Sequence, residues 1–129
     1  MKPGHAFLGM PAYDGTMHMC VVLALSETSY GDPTVISANL TSMVRGADKT
    51  CVVRPSDVDT HPFVRRECFV FYEKMEEIGV DAVLGAQTLA PVCSALLFRM
   101  QRGVLVSPVA RRRFKKIVSK LLGSIPQPP

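Results

Sequence analysis

The spacing of apolar and polar residues along the chain changes character once, near residue 73. Before that point the apolar segments are short and rich in β-branched and aromatic residues, and turn residues separate them. Lys2-Pro-Gly reads as a turn and Ala6-Phe-Leu-Gly-Met10 as a first strand. Pro11-Ala-Tyr-Asp-Gly15 carries loop chemistry. His18-Met-Cys-Val-Val-Leu-Ala-Leu25 is an almost unbroken apolar run and predicts a central strand. Gly31-Asp-Pro33 breaks the chain, and Thr34–Leu40 gives a third strand ending in Thr41-Ser42. A polar loop leads to a fourth strand, Thr50–Val53, and Glu67–Tyr72 makes a fifth. Short strands with turns between them, and no long helix, predict a small antiparallel barrel or tight sandwich over about residues 5–72.

The remainder predicts helices. Glu73–Val80 reads as a short turn or helix, and Gly85–Thr88 as a polar linker. Over residues 91–102, Leu96, Leu97 and Met100, continued by Val104, have the spacing of a buried helix face, with Gly103 as an interruption. Ser107-Pro108 has the form of an N-cap followed by proline in the first turn. A last helix is expected from there to about Leu122, stopped by Gly123 and Pro126. Val109, Phe114, Ile117, Val118, Leu121 and Leu122 form its apolar stripe. The final Ile-Pro-Gln-Pro-Pro reads as loose. The expectation is one domain over 1–129, mainly β, with a helical C-terminal part over about 91–122.

Composition narrows the classes of function. Hydrophobic residues are 47% and charged residues 20% of the 129, which is ordinary globular usage and argues against disorder. There is no Trp and the aromatic share is 7%, too little for rows of stacking aromatics along a single strand of nucleic acid. Cys20, Cys51, Cys68 and Cys93 are widely separated, which favours buried reduced thiols over a zinc site or a disulfide framework. No metal or cofactor is expected. The chain opens without a leader-like apolar segment and has no run of ~20 apolar residues, so a cytoplasmic protein that does not enter the membrane is expected.

Charge is unevenly placed. Residues 1–108 hold nine Lys/Arg and eleven Asp/Glu, whereas 109–129 hold Arg111, Arg112, Arg113, Lys115, Lys116 and Lys120 with no acid. The net +4 therefore comes from the tail, which suits phosphates, an acidic partner or an anionic surface, and is equally the pattern of a solvated helix face.

No Gly-rich phosphate loop, H-E-x-x-H or G-x-S-x-G occurs, and candidate chemistry lies where strands begin and end. His18 opens the long apolar strand, as an edge or core imidazole or as a group that passes protons near neutral pH. Thr41 and Ser42 follow the third strand, as turn caps or as donors to a phosphate oxygen. His61-Pro-Phe-Val-Arg65-Arg66-Glu67 is the densest polar cluster. Its arginines suit bidentate recognition of phosphate or carboxylate, although neighbours on a strand point to opposite faces. As a purely structural element the same stretch is a loop whose charges keep an edge soluble.

His18-Met-Cys-Val-Val-Leu, Asn39-Leu-Thr-Ser and His61-Pro-Phe-Val…Cys-Phe-Val-Phe-Tyr72, in this order after Lys-Pro-Gly, resemble the PemK/MazF-like proteins, in a divergent bacterial branch. The likeness covers about residues 2–72. It implies an SH3-like antiparallel barrel, often dimeric, and a metal-independent endoribonuclease toxin paired with an antitoxin. It places the catalytic hydroxyl at Thr41 or Ser42 and the basic group near His18, where the toxins usually carry arginine; a histidine holds less permanent charge there. On this reading His18 or His61 moves protons, and Thr41, Ser42 and Arg65 or Arg66 stabilise the phosphorane formed by 2′-hydroxyl attack. The alternative is a non-catalytic barrel that binds nucleic acid or an acidic protein, with Arg111, Arg112, Lys115 and Lys116 as its main contacts.

Overall fold

A computed structural model of the chain describes residues 1–9 and 15–123. Residues 11–14 of the loop expected at Pro11–Gly15, and the loose end expected from Ile125, lie outside the described residues.

The two long strands form the frame. β2 (His18–Glu27) and β3 (Pro33–Ser42) pair antiparallel along nearly their whole length, joined by a turn at Thr28–Asp32. Thr28 closes this turn by accepting the Asp32 and Tyr30 N–H groups, and Gly31 supplies the positive φ of 86° that it requires. β1 (Ala6–Gly9) flanks β2, and β5 (Cys68–Val70) flanks the end of β3, with β4 (Val52–Val53) outside it. Two further strands lie where the residue pattern predicts none. β6 (Glu76–Gly79) pairs with the first half of β3, and β7 (Thr88–Leu89) pairs with β1. The seven strands form an antiparallel sheet in the order β4-β5-β3-β2-β1-β7, with β6 on β3. β4 and β7 end the path, so the sheet is open rather than closed into a barrel.

The segment expected as one turn or helix at 73–80 is a 3-10 turn at Tyr72–Lys74 followed by β6, and a short helix, α1 (Val80–Leu84), comes after it. α2 is Ser94–Val106 and α3 is Arg112–Gly123. Gly103 does not interrupt α2; it lies inside it, against Tyr72. Ser107 does not open the last helix but closes α2, and α3 begins five residues later at Arg112. The Ser107 hydroxyl accepts the Val109 N–H and donates to Asp48 at 2.7 Å, which holds 107–109 as a bend.

Side-chain alternation gives the sheet two unlike faces. Ala6, Met19, Val21, Ile36, Ala38, Leu40, Val53 and Val70 point to one face and join Leu96, Met100 and Val104 of α2 and Phe114, Val118 and Leu122 of α3 in the main core. The α3 residues are spaced at i, i+4 and i+8, and Ile117 and Leu121 pack beside them; Val109 lies outside the helix and is exposed. A helix of this length is marginal alone in water, so the docked stripe is what keeps it folded. A bulge between Val22 and Ala24 frees the Leu23 carbonyl, which the buried Gln101 of α2 satisfies at 2.9 Å. On the opposite face Phe7, Cys20, Val22 and Val35 form a smaller cluster with Val83 of α1.

Among the described residues no helix is long and apolar enough to cross a membrane. Cys20, Cys51 and Cys68 are buried free thiols, as their apolar surroundings suggest, whereas Cys93 is exposed.

Candidate functional site

The residues singled out in the sequence fall in separate places. His18 begins β2 opposite Gly9, one residue beyond the Met19–Leu40 pair, so it and Thr41 of β3 end adjacent strands at the same end of the sheet. By alternation both lie on the face that α2 and α3 leave uncovered. His18 Nε2 shares a hydrogen bond with the Thr16 hydroxyl at 2.8 Å. The Thr41 hydroxyl oxygen is buried and has no hydrogen-bond partner among the described residues. Ser42, paired with Cys68, is exposed and points to the other side of its strand.

His61 is elsewhere and already engaged. It is 5% exposed; its Nδ1 accepts the Phe63 N–H at 3.0 Å and its Nε2 donates to the Ala90 carbonyl at 2.6 Å. Those two bonds fix a neutral tautomer and tie the 61–64 turn to the chain entering α2. Ala90 follows the Leu89–Ala6 pair, whereas His18 faces Gly9 at the far end of β1, about 10 Å along the strand. Arg65 and Arg66 are exposed in the loop before β5. The four candidate catalytic residues are thus not gathered in one site.

The face shared by His18 and Thr41 carries a small cleft of about 50 Å³, lined by Phe7, Gly9, Cys20, Ser37, Asn39, Lys74, Glu76 and Ile78. Ser37, Asn39 and Cys20 are almost fully buried polar groups on an otherwise apolar sheet face. Burial, with the Glu76 carboxylate adding to it, pushes the Cys20 thiol up to about 12, so it is a protonated thiol and not a nucleophile at neutral pH. A Cβ at Gly9 would come within 2.8 Å of Cys20 Sγ, so any larger residue there would have to displace one or the other. Sequence patterning missed these residues: inside strand-forming runs they look like ordinary interior positions.

A larger concavity lies on the helical side. Arg112, Lys115, Lys116, Ser119 and Lys120 of α3, with Leu105 of α2, line an open groove of about 510 Å³. Among the described residues no acidic side chain lines it. Arg113 faces the other way and pairs with Glu77 of β6, and Arg111 lies over the Phe114 ring at 5.8 Å from its centroid. The core stripe of Phe114, Val118 and Leu122 turns the remaining basic residues outward, so the groove is a direct consequence of the helix's amphipathic spacing.

A second cluster is structural. Arg99 of α2 donates to Asp59 from Nε at 3.1 Å and from Nη2 at 2.9 Å, to Asp57, and to the Val52 carbonyl. Burial alone would lower the Arg99 pKa, but the Asp59 bonds and the surrounding Asp59, Asp57 and Cys51 groups together outweigh it and raise it. The fork clamps the 54–60 loop to the helix. Among the described residues no group of three or more His, Cys, Asp or Glu is placed to hold a metal ion.

Compared with models of known families, with curated proteins and with solved structures, the chain has no significant match.

Proposed function

We propose that this chain is a non-catalytic nucleic-acid-binding module, acting in the cytoplasm, whose contact surface is the basic groove between α2 and α3. One observation carries the reading. Four cationic side chains, Arg112, Lys115, Lys116 and Lys120, line one groove with no acid among them, while Arg113, which has an acidic partner, is turned away from it. Repeating phosphates are the ligand that such a row of point charges and a guanidinium engages together. The test is fluorescence anisotropy of a labelled 12-nucleotide strand and a 12-base-pair duplex at low salt. Wild type binds, and the triple change Arg112→Gln, Lys115→Gln, Lys116→Gln weakens binding. Absence of wild-type binding at low salt would overturn the reading.

The adjacency of His18 and Thr41 supports a second reading, that of a PemK/MazF-like ribonuclease, with an antitoxin partner and a homodimer as its corollaries. On that reading His18 moves the proton while the Thr41 hydroxyl stabilises charge on the phosphate. It predicts that expression degrades cellular RNA and arrests growth, and that His18→Ala or Thr41→Val abolishes both while strand binding is kept. Intact RNA on expression of the wild type counts against it.

A further inference from the structure

α3 carries its charge at an electrostatic cost. Arg112, Lys115, Lys116, Ser119 and Lys120 follow one another at i, i+3, i+4, i+7 and i+8, so a single stripe of the helix lines the groove. At a rise of ~1.5 Å per residue the stripe is about 12 Å long from its first cation to its last. Arg112 and Lys116, and Lys116 and Lys120, stand one turn apart, where like charges repel and destabilise a helix. α3 contains no acid, and Glu77 of β6 pairs with Arg113, which does not line the groove. Arg112 and Arg113 also stand in the first turn, where the macrodipole favours acids. A polyanion laid along the stripe relieves this repulsion.

The same lining restricts what can be recognised. Its three lysines are point charges, and Arg112 alone has the fork that reads a base edge bidentately. Ser119 offers a hydroxyl that suits more than one base, and Leu105 is the apolar member. Among the described residues no aromatic ring lines the groove, so a single strand finds no surface there on which to stack its bases. What the groove engages is backbone charge. A duplex presents one phosphate per ~1.7 Å of its axis, against ~3.4 Å for each of its strands. We infer that the groove takes the phosphate backbone of a duplex in preference to a single strand, and without regard to base sequence. The inference rests on the nucleic-acid-binding reading above and adds the form of the ligand and the lack of base readout. Order on both sides favours it as well. The cations are carried on one helix, docked by Phe114, Val118 and Leu122, and duplex phosphates are already in place, so their pairing loses less freedom than ordering a flexible strand.

The experiment uses the full chain and three fluorescein-labelled DNA probes: a 12-base-pair duplex rich in G·C, another rich in A·T, and a 12-nucleotide thymidylate strand. Near 50 mM salt each duplex is expected to bind at least about threefold more tightly than the strand. Between about 50 and 200 mM salt, duplex affinity should fall by roughly 150-fold if all four cations meet phosphates, at a slope of ~0.9 per contact. The two duplexes should agree within about fivefold, the least that one bidentate base contact discriminates. Ser119→Trp alters an exposed position, leaves every charge in place and supplies the missing ring. It should raise strand affinity roughly tenfold, the size of one stacked base, without tightening either duplex. A strand that binds within threefold of the duplexes overturns the inference and leaves the basic-groove reading standing. So does a gap of more than fivefold between the duplexes. If Ser119→Trp leaves strand affinity unchanged, the strand does not lie along α3 and the inference fails. Failure to bind any of the probes overturns the basic-groove reading itself, and so is distinguishable from failure of the inference alone.

Discussion

Tyr72 and Gly103 occupy each other's space: the Tyr72 ring lies where any side chain on Gly103 would have to be. The Tyr72 hydroxyl continues past the glycine and donates to the Met100 carbonyl at 2.7 Å, and the residue is fully buried. Burial pushes the Tyr72 pKa up, so the group is a neutral donor at any working pH. This contact explains why a helix carries glycine in its interior, at a propensity cost of about 1 kcal/mol relative to alanine.

Gly103→Ala is therefore expected to destabilise the fold, although alanine is the better helix former. The added methyl meets the Tyr72 hydroxyl, which its bond to Met100 holds in place, and the ring carbon that carries it, so overpacking of about 1–3 kcal/mol exceeds the gain in propensity. Urea denaturation of the single change, and of Gly103→Ala with Tyr72→Leu, measures it. The pair should be non-additive, the second change relieving part of the first. A neutral or stabilising Gly103→Ala would show that α2 does not sit on Tyr72.

His61 yields a prediction about structure and not chemistry. Its two hydrogen bonds join the 61–64 turn to Ala90, and both partners are main-chain groups. His61→Ala leaves the Ala90 carbonyl and the Phe63 N–H without their side-chain partner, which costs about 1–3 kcal/mol. The expected result is a lower denaturation midpoint with strand binding unchanged at temperatures where the variant is folded. Loss of binding without loss of stability would assign His61 to a site instead.

These relationships show how far the sequence is legible. β2 and β3 are plain in it, because long apolar runs with β-branched residues have no other good use. β6 is not: Glu76-Glu77-Ile78-Gly79 has no apolar alternation, and it is a strand because β3 extends to Pro33 and offers it an edge. β7 is two residues long, too short for any period to show. Ser107 carries a genuine capping signal, but its hydroxyl serves the Val109 N–H and Asp48, which delays the helix to Arg112. Of the site, the basic face is legible as a run of charge. The small cleft on the other sheet face is not, since its lining comes from β1, β2, β3 and the 74–78 segment, which long stretches of chain separate.

Glu77 should make stability depend on pH in a defined direction. Bonds from Arg113 and then Thr34 hold its pKa below the usual carboxylate range, against the opposing effect of burial. A carboxyl group depressed in the folded state contributes stability above its unfolded pKa, and that contribution is lost as pH falls through the folded value. Glu77→Gln should therefore be less stable than wild type at pH 7, and the gap should close below about pH 4. Chemical denaturation at several pH values measures it. A gap that is constant with pH would mean that the ion pair is solvent-screened and contributes nothing.

The orientation of the α3 cations separates binding from stability. Arg112, Lys115 and Lys116 line the groove, whereas Arg113, one residue along, is exposed but pairs with Glu77 of β6. If the groove holds a phosphate backbone, each contact releases counterions, so the logarithm of affinity falls linearly with the logarithm of salt concentration. Replacing Arg112, Lys115 and Lys116 by Gln should lower that slope by roughly one unit per lost contact. It should leave the denaturation midpoint near wild type, because these side chains face solvent and surface substitutions usually move stability by no more than about 0.5 kcal/mol. Arg113→Gln should do the reverse. Its partner Glu77 loses a charge-assisted bond, so stability falls at neutral pH, while the salt slope stays near that of wild type. The comparison holds net charge in view, since Arg113→Gln removes one positive charge just as each groove change does. If Arg112→Gln alone and Arg113→Gln alone lower the slope equally, binding follows the overall charge of the helix and not the groove, and the proposed interface is wrong. If only the groove changes act, the amphipathic spacing that docks Phe114, Val118 and Leu122 into the core is also what aims the binding surface outward.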